Sequence, residues 1–145
     1  MKPNLLVSII INNYNYDRFI AEAINSAINQ TYPHIEVIVV DDGSTDNSRE
    51  IIAGYSDRIF SILQPNGKQA TAFNSGFAKS KGDIIIFLDS DDYLFPKTKK
   101  KIVAVWKSEL SKVHYRLTVV DTVGKSLGYS SPQGSSPLSG GEVWK

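Results

Sequence analysis

The sequence has no cysteine, so it offers neither a disulfide framework nor a thiolate metal site. Its two histidines, His34 and His114, lie too far apart for metal-ligand spacing and are expected at surface or edge positions. Charge of one sign is missing as well. Sixteen Lys and Arg against fifteen Asp and Glu leave a formal net charge of +1. That gives no general attraction to nucleic acid or to an anionic membrane, and no nucleic-acid partner is expected. Long hydrophobic runs are also lacking. Leu5 to Ile11, broken by Ser8, falls far short of the roughly 20 apolar residues that cross a bilayer. It lacks a small-residue cleavage site and does not read as a signal peptide. The expected location is cytoplasmic, free or peripheral to the inner face of the membrane. No Gly-x-Gly-x-x-Gly and no Walker loop occurs, which removes support for dinucleotide oxidoreductase and kinase-like readings.

What is present is enough for one ordinary globular domain over residues 1–145, since 41% of the residues are hydrophobic and 21% charged. The chain is organised around Ile84-Ile85-Ile86-Phe87-Leu88-Asp89-Ser90-Asp91-Asp92. Its apolar half reads as a buried strand. The carboxylates at its end cannot sit unpaired in a core, because buried unpaired charge costs too much. They are solvated, paired or holding a cation. Hard oxygen ligands two residues apart suit Mg²⁺ or Mn²⁺, which are usually held by one or two carboxylates plus substrate phosphates. The alternative is an acidic turn in which Asp91 or Asp92 starts the next helix.

Taken in order, Leu5 to Ile11 reads as a first strand ending at the polar and aromatic loop Asn12-Asn13-Tyr14-Asn15-Tyr16. Phe19, Ile20, Ala23, Ile24, Ala27 and Ile28 recur at helical spacing, predicting a helix over Asp17 to Gln30. A second strand, Ile35 to Val40, runs into Asp41-Asp42-Gly43-Ser44-Thr45-Asp46, and a helix with Ile51 and Ile52 inward follows up to Gly54. Ile59 to Leu63 is a third strand. Lys68 to Ser80 is a third helix that buries Ala70, Phe73, Phe77 and Ala78, and Asp83 to Leu88 is the fourth strand. A fourth helix after Pro96 buries Ile102, Val105, Trp106 and Leu110 and turns Lys97, Lys99, Lys100 and Lys101 to solvent. Val113 to Val120 reads as a further strand, Asp121 to Lys125 as a turn, and residues 126–145 as a loop-like tail.

Alternation of strand and helix implies an α/β fold with a mostly parallel sheet and helices on both faces. Ligands of such sheets bind beyond the carboxyl ends of the strands, at the switch in strand order. With strand order 3-2-1-4, the clusters at Asn12-Asn13-Tyr14, Asp41-Asp42 and Asp89-Ser90-Asp91 share one rim. Such a rim suits a nucleoside diphosphate. Tyr14 can stack on a base, an interaction worth roughly 1–3 kcal/mol. Asp42 can accept an imide N–H of uracil or thymine, and Lys68 can face phosphate at the start of its helix. The plainer alternatives are a surface tyrosine, an aspartate capping the amides of Ser44 and Thr45, and an exposed lysine.

Val7-Ser8-Ile9-Ile10-Ile11-Asn12-Asn13-Tyr14-Asn15, Ile35-Glu36-Val37-Ile38-Val39-Val40-Asp41-Asp42-Gly43-Ser44-Thr45-Asp46 and Phe87-Leu88-Asp89-Ser90-Asp91-Asp92 together resemble the family-two glycosyltransferases of the GT-A fold. The resemblance covers residues 5–110 as a nucleotide-sugar-binding core. It implies a Rossmann-like nucleotide-diphospho-sugar transferase that moves a sugar, with inversion, from a donor such as a UDP-sugar to an acceptor hydroxyl, as in cell-envelope polysaccharide synthesis. By motif, Asn12 and Tyr14 lie against the base, Asp42 or Asp41 contacts it, and Asp89 lies near the ribose. Asn13, Lys68 and Ser90 complete the donor-binding set. Asp91, with Asp89, holds Mg²⁺ or Mn²⁺ as the Asp-x-Asp motif. Phe73 departs from the pattern, standing where members carry an arginine. Members continue further and draw their acceptor pocket and general base from the later half. Glu142 and Asp121 do not match that base. The chain is therefore expected to be the donor-binding part of a domain whose C-terminal part is missing. Self-association as a homodimer through apolar surface near Trp144 is a further expectation. The competing reading is a non-catalytic nucleotide-sugar-binding module.

Overall fold

The computed structural model describes residues 4–107 and 117–131. Two units emerge, residues 1–101 and residues 102–145. The first holds a four-stranded sheet in the order β3-β2-β1-β4, which is the expected 3-2-1-4 order. Its strands are β1 (Val7–Asn13), β2 (Ile35–Asp42), β3 (Phe60–Gln64) and β4 (Ile84–Asp89), and every pairing is parallel. The connecting helices are α1 (Asp17–Ile28), α2 (Ser48–Ala53) and α3 (Lys68–Lys79), with α4 (Thr98–Val105) after the last strand.

The strand register sorts side chains by face. Successive residues point to opposite sides, and partners in register point to the same side. Ile10 is level with Ile38 and Phe87, so these share one face. Ile10, Ile38 and Val40 meet Ala72 of α3, and Ile85 packs against them. The other face, with Val7, Ile9, Ile11, Val37, Val39, Ile84, Ile86 and Leu88, is buried and takes α1 through Ile20, Ala23, Ile24 and Ala27. Each such aliphatic side chain contributes roughly 1.5–3 kcal/mol on burial.

The face that α3 buries differs from the expectation. Ala72 and Gly76 are its buried residues, while Ala70, Phe77 and Ala78 are exposed and Phe73 is half-buried, its ring edge-on to Phe87 at 4.8 Å. The cause is proximity. A Cβ on Gly76 would come within 2.4 Å of Ile10 Cγ2, so the helix backbone lies almost on the strands. Small residues one turn apart permit that approach and push the aromatics to the flank.

A second correction concerns Lys99, which is fully buried rather than solvated. Its Nζ donates to Ala27 O at 3.1 Å, at the end of α1, and its backbone N–H donates to Gln30 Oε1. Gln30 in turn donates to Phe95 O. Burial pulls the Lys99 amine down to about 7. On α4, Ile102 is buried as expected, but Val105 is exposed.

In the second unit, β5 (Leu117–Val120) and β6 (Ser126–Ser131) pair antiparallel. The expected turn joins them. Asp121 Oδ1 accepts the backbone N–H groups of Val123 and Lys125. The start of the expected loop-like tail is thus a strand. Leu127 and Tyr129 alternate along it but both stay exposed, so no buried face marks it in the sequence. Leu110, His114, Glu142 and Trp144 lie outside the described residues. Among the described residues no helix is long and apolar enough to cross a membrane.

Candidate functional site

A cleft of about 490 Å³ opens beyond the carboxyl ends of β1, β2 and β4, within the size range of small-molecule sites. Asn12, Tyr14, Tyr16, Asp42, Asn66, Lys68, Gln69, Asp89, Ser90 and Asp91 line it. The pleat decides who reaches it. Asn12 is level with Asp89 across β1 and β4, and Asp42 is level with Gln64 across β2 and β3, all on the α3 side of the sheet. Of the residues singled out in the sequence, Asn12, Tyr14, Asp42, Lys68, Asp89, Ser90 and Asp91 come together here.

Asn13 and Asp41 do not line the cleft, being one residue out of phase. Both are fully buried on the opposite side. Asn13 Nδ2 donates to Asp41 Oδ2 at 3.1 Å and to Ser44 Oγ at 3.2 Å. Asp41 Oδ1 also accepts the Ser44 N–H at 3.1 Å and Arg49 Nε at 2.7 Å. Burial pushes the Asp41 carboxyl up, but the bonds from Ser44, Arg49 and Asn13 outweigh it and hold it below the ordinary carboxylate range. Asp41, not Asp42, caps the turn. Asp42 has a different task. Its Oδ1 accepts Gln64 Nε2 at 2.6 Å and the Gly67 N–H at 2.9 Å, while Asn66 Nδ2 donates to its carbonyl. The turn leading into α3 is thereby hung from β2. Gly43 makes that fit possible. Its φ of +83° is left-handed, and a Cβ there would stand 2.7 Å from Asn66 N.

On the other side, Asn12 Nδ2 and Gln69 Nε2 donate to the same Asp89 oxygen, Oδ1, at 2.6 and 2.7 Å. Two amides on one carboxylate fix its plane. Among the described residues two non-glycines have left-handed backbone: Lys68 (φ 71°) lines the cleft, and Asn15 (φ 56°) lies between Tyr14 and Tyr16, which line it. Such strain collects at functional sites. Tyr16, Asn66 and Gln69 were not singled out from the sequence. Tyr16 carries a readable signal, because Asn12, Tyr14 and Tyr16 keep the strand's period of two beyond its end. Asn66 and Gln69 carry none, since only the fold brings the β3–α3 turn beside β4.

The charge lining the cleft is predominantly negative. Three carboxylates, Asp42, Asp89 and Asp91, face the cleft against one lysine, Lys68. Asp92, crowded at the surface, is pushed up by partial desolvation and then by repulsion from Asp91 and Asp89. Asp91 is exposed and has no ion-pair partner among the described residues. Among those residues no group of three or more His, Cys, Asp or Glu forms a metal cage. The donor set fits Mg²⁺ or Mn²⁺ held by one or two carboxylates, with phosphate oxygens completing the shell.

A parallel sheet with order 3-2-1-4, helices on both faces and an acid- and amide-lined cleft at its carboxyl edge is the frame of a GT-A nucleotide-sugar transferase. The sequence model of Glycosyl transferase family 2 matches residues 8–132, and the chain belongs to that family. An uncharacterised glycosyltransferase of Nostoc sp. is 43% identical over 133 residues, which is 88% of this chain and 41% of that relative. The structure of S. aureus TarS 1–349 in complex with UDP-GlcNAc superposes with a TM-score of 0.63 at 31% identity, over 70% of this chain and 31% of that one. A mannosyltransferase from Pyrobaculum calidifontis, solved with GDP-Man and Mn²⁺, shares the fold, with a TM-score of 0.64 at 22% identity over 73% of this chain. The chain thus spans about two fifths of the Nostoc relative's length and about a third of the TarS chain.

Proposed function

We propose that the cleft binds a nucleotide-diphospho-sugar, with uridine as the nucleoside, and that the protein transfers its sugar to an acceptor hydroxyl with inversion. The chain carries the donor-binding part of that site. The observation that supports this most is the sorting of Asn12, Asp42 and Asp89 onto one side of the sheet with Tyr14 above them. Tyr14 and Asp42 are assigned to the base, Asn12 and Gln69 hold Asp89 for the ribose, and Lys68 faces the phosphates. TarS, the relative described with UDP-GlcNAc, supports uridine.

A doubly charged diphosphate does not enter a net-negative cleft unaided. Asp91, with Asp89, is assigned to Mg²⁺ or Mn²⁺, which when bound neutralises the departing phosphate charge as a Lewis acid. Calorimetry with UDP tests both assignments. Binding is expected in Mn²⁺ and is expected to vanish with chelator or with Asp91→Ala. Unchanged affinity in both cases would remove the metal role, and no UDP binding by the wild-type chain would remove the nucleotide reading. Sugar release from a UDP-sugar onto a hydroxyl acceptor, with the anomeric configuration read by NMR, checks transfer and inversion.

A further inference from the structure

The alternation that sorts β1 continues past the end of the strand. Even-numbered Asn12, Tyr14 and Tyr16 line the cleft. Odd-numbered Asn13, Asn15 and Asp17 all turn the other way and bond to the end of β2 and the segment after it. Asn13 reaches Asp41 and Ser44. Asn15 donates its N–H to Ser44 Oγ at 2.9 Å, and its Oδ1 accepts Thr45 N–H at 2.8 Å and Thr45 Oγ1 at 3.3 Å. Asp17 donates its N–H to Asp46 Oδ2 at 2.9 Å and accepts the Asn47 N–H at 3.4 Å. Three rivets therefore join the β1–α1 loop to the β2–α2 loop, one at every second residue.

Asn15 is the middle rivet, and its backbone is the reason the pattern survives the turn. A φ of 56° is left-handed, a conformation that asparagine tolerates better than most residues. This kink sits between the two tyrosines, and both of their rings remain about half exposed at the cleft. Free tyrosine loops would lose rotamer and backbone freedom on binding a flat ring, and a pre-set loop avoids that loss.

We infer that Asn15 is a positioning residue for the base-side wall: its side chain, held by Thr45, keeps Tyr14 and Tyr16 turned into the cleft although Asn15 itself does not line it. This rests on the nucleotide reading above and adds to it a determinant outside the cleft.

The test separates the base side from the phosphate side. UDP and inorganic pyrophosphate, each with Mn²⁺, are titrated into the full chain and its variants, and the thermal midpoint is recorded for each. Asn15→Gly keeps the left-handed backbone and removes the Thr45 bonds. It is expected to weaken UDP about tenfold while leaving pyrophosphate unchanged. Asn15→Asp keeps an acceptor for Thr45 and tolerates the backbone, and it is expected to restore UDP affinity to within about twofold of wild type. If Asn15→Gly does not fold, Thr45→Ala removes one bond of the same rivet and is expected to weaken UDP about twofold, again sparing pyrophosphate. Equal losses for both probes, unchanged UDP affinity in the folded variants, or failure of Asn15→Asp to rescue would overturn the inference. Wild-type protein that binds neither probe would sink the nucleotide reading and this inference with it. Wild type that binds both probes, with variants indistinguishable from it, would sink this inference alone.

Discussion

Asp41 and Asp42 are chain neighbours with the same chemistry, yet they belong to different regions of the molecule. Asp41 stands on the α1 side, sealed from water, with three donors on its two oxygens. Asp42 stands on the α3 side, at the cleft, with two donors gathered on one oxygen. The first carboxylate is bonded at both oxygens and ties β1 to the turn after β2, while Asn13 Oδ1 beside it is buried without a hydrogen-bond partner. The second has both donors to its side chain on Oδ1, at the wall of the cleft. One step along a strand separates the two, because the pleat reverses direction at every residue.

The contrast is broken most strongly by removing Asp41. Asp41→Ala leaves Asn13, Ser44 and the Arg49 guanidinium without their shared acceptor and is expected to cost about 3 kcal/mol, read by urea unfolding. A loss below about 1 kcal/mol would mean that the α1 side is not the stabilising region.

Next in size is Lys99, also on the structural side. The unfolded chain keeps this amine protonated up to 10.5, whereas burial lowers it to about 7 in the folded protein. Between those values the unfolded state binds more protons, so stability rises with pH, by about 2 kcal/mol from about pH 7 to pH 9. Below the folded value both states are charged and the burial penalty is felt in full. Lys99→Met is expected to flatten this slope, measured as the unfolding free energy across that interval. A variant retaining the wild-type slope would show that another group sets it.

Gly76→Ala drives a methyl group toward Ile10 and is expected to cost roughly 1–2 kcal/mol, measured by thermal unfolding. A neutral result would mean that α3 has room to lift from the sheet.

Asp42→Asn sharpens the comparison from the other side. Its expected stability effect is the smallest, about 1 kcal/mol or less, because the amide retains an acceptor for Gln64 and Gly67. UDP affinity, in contrast, is expected to fall about tenfold, read by calorimetry. A variant with large destabilisation and intact binding would reverse the roles assigned to the two aspartates.

Much of the architecture was legible. The apolar runs ending in polar clusters marked β1, β2 and β4, and the spacing from Phe19 to Ile28 marked α1 within two residues of its observed end. Asp121 with the following glycine marked the hairpin turn. Less of the packing was legible. Phe73 and Phe77 advertise an apolar stripe on α3, but Ala72 and Gly76 make the contact, because close approach rewards small residues over large ones. Lys99 sits in a run of lysines that reads as solvated, and only the end of α1 supplies the carbonyl that lets it be buried.

The sequence by itself determined the elements from β1 to α4, the parallel arrangement of the first four strands and the clusters carried at their ends, because hydrophobic period and turn chemistry are local properties. Tertiary structure decided which residues of each cluster face the cleft, that Gln69 and Asn66 join them, and that Asn15 is tied to Thr45. Those outcomes depend on register and on segments brought together from distant parts of the chain, and no local pattern encodes which neighbour a side chain will meet.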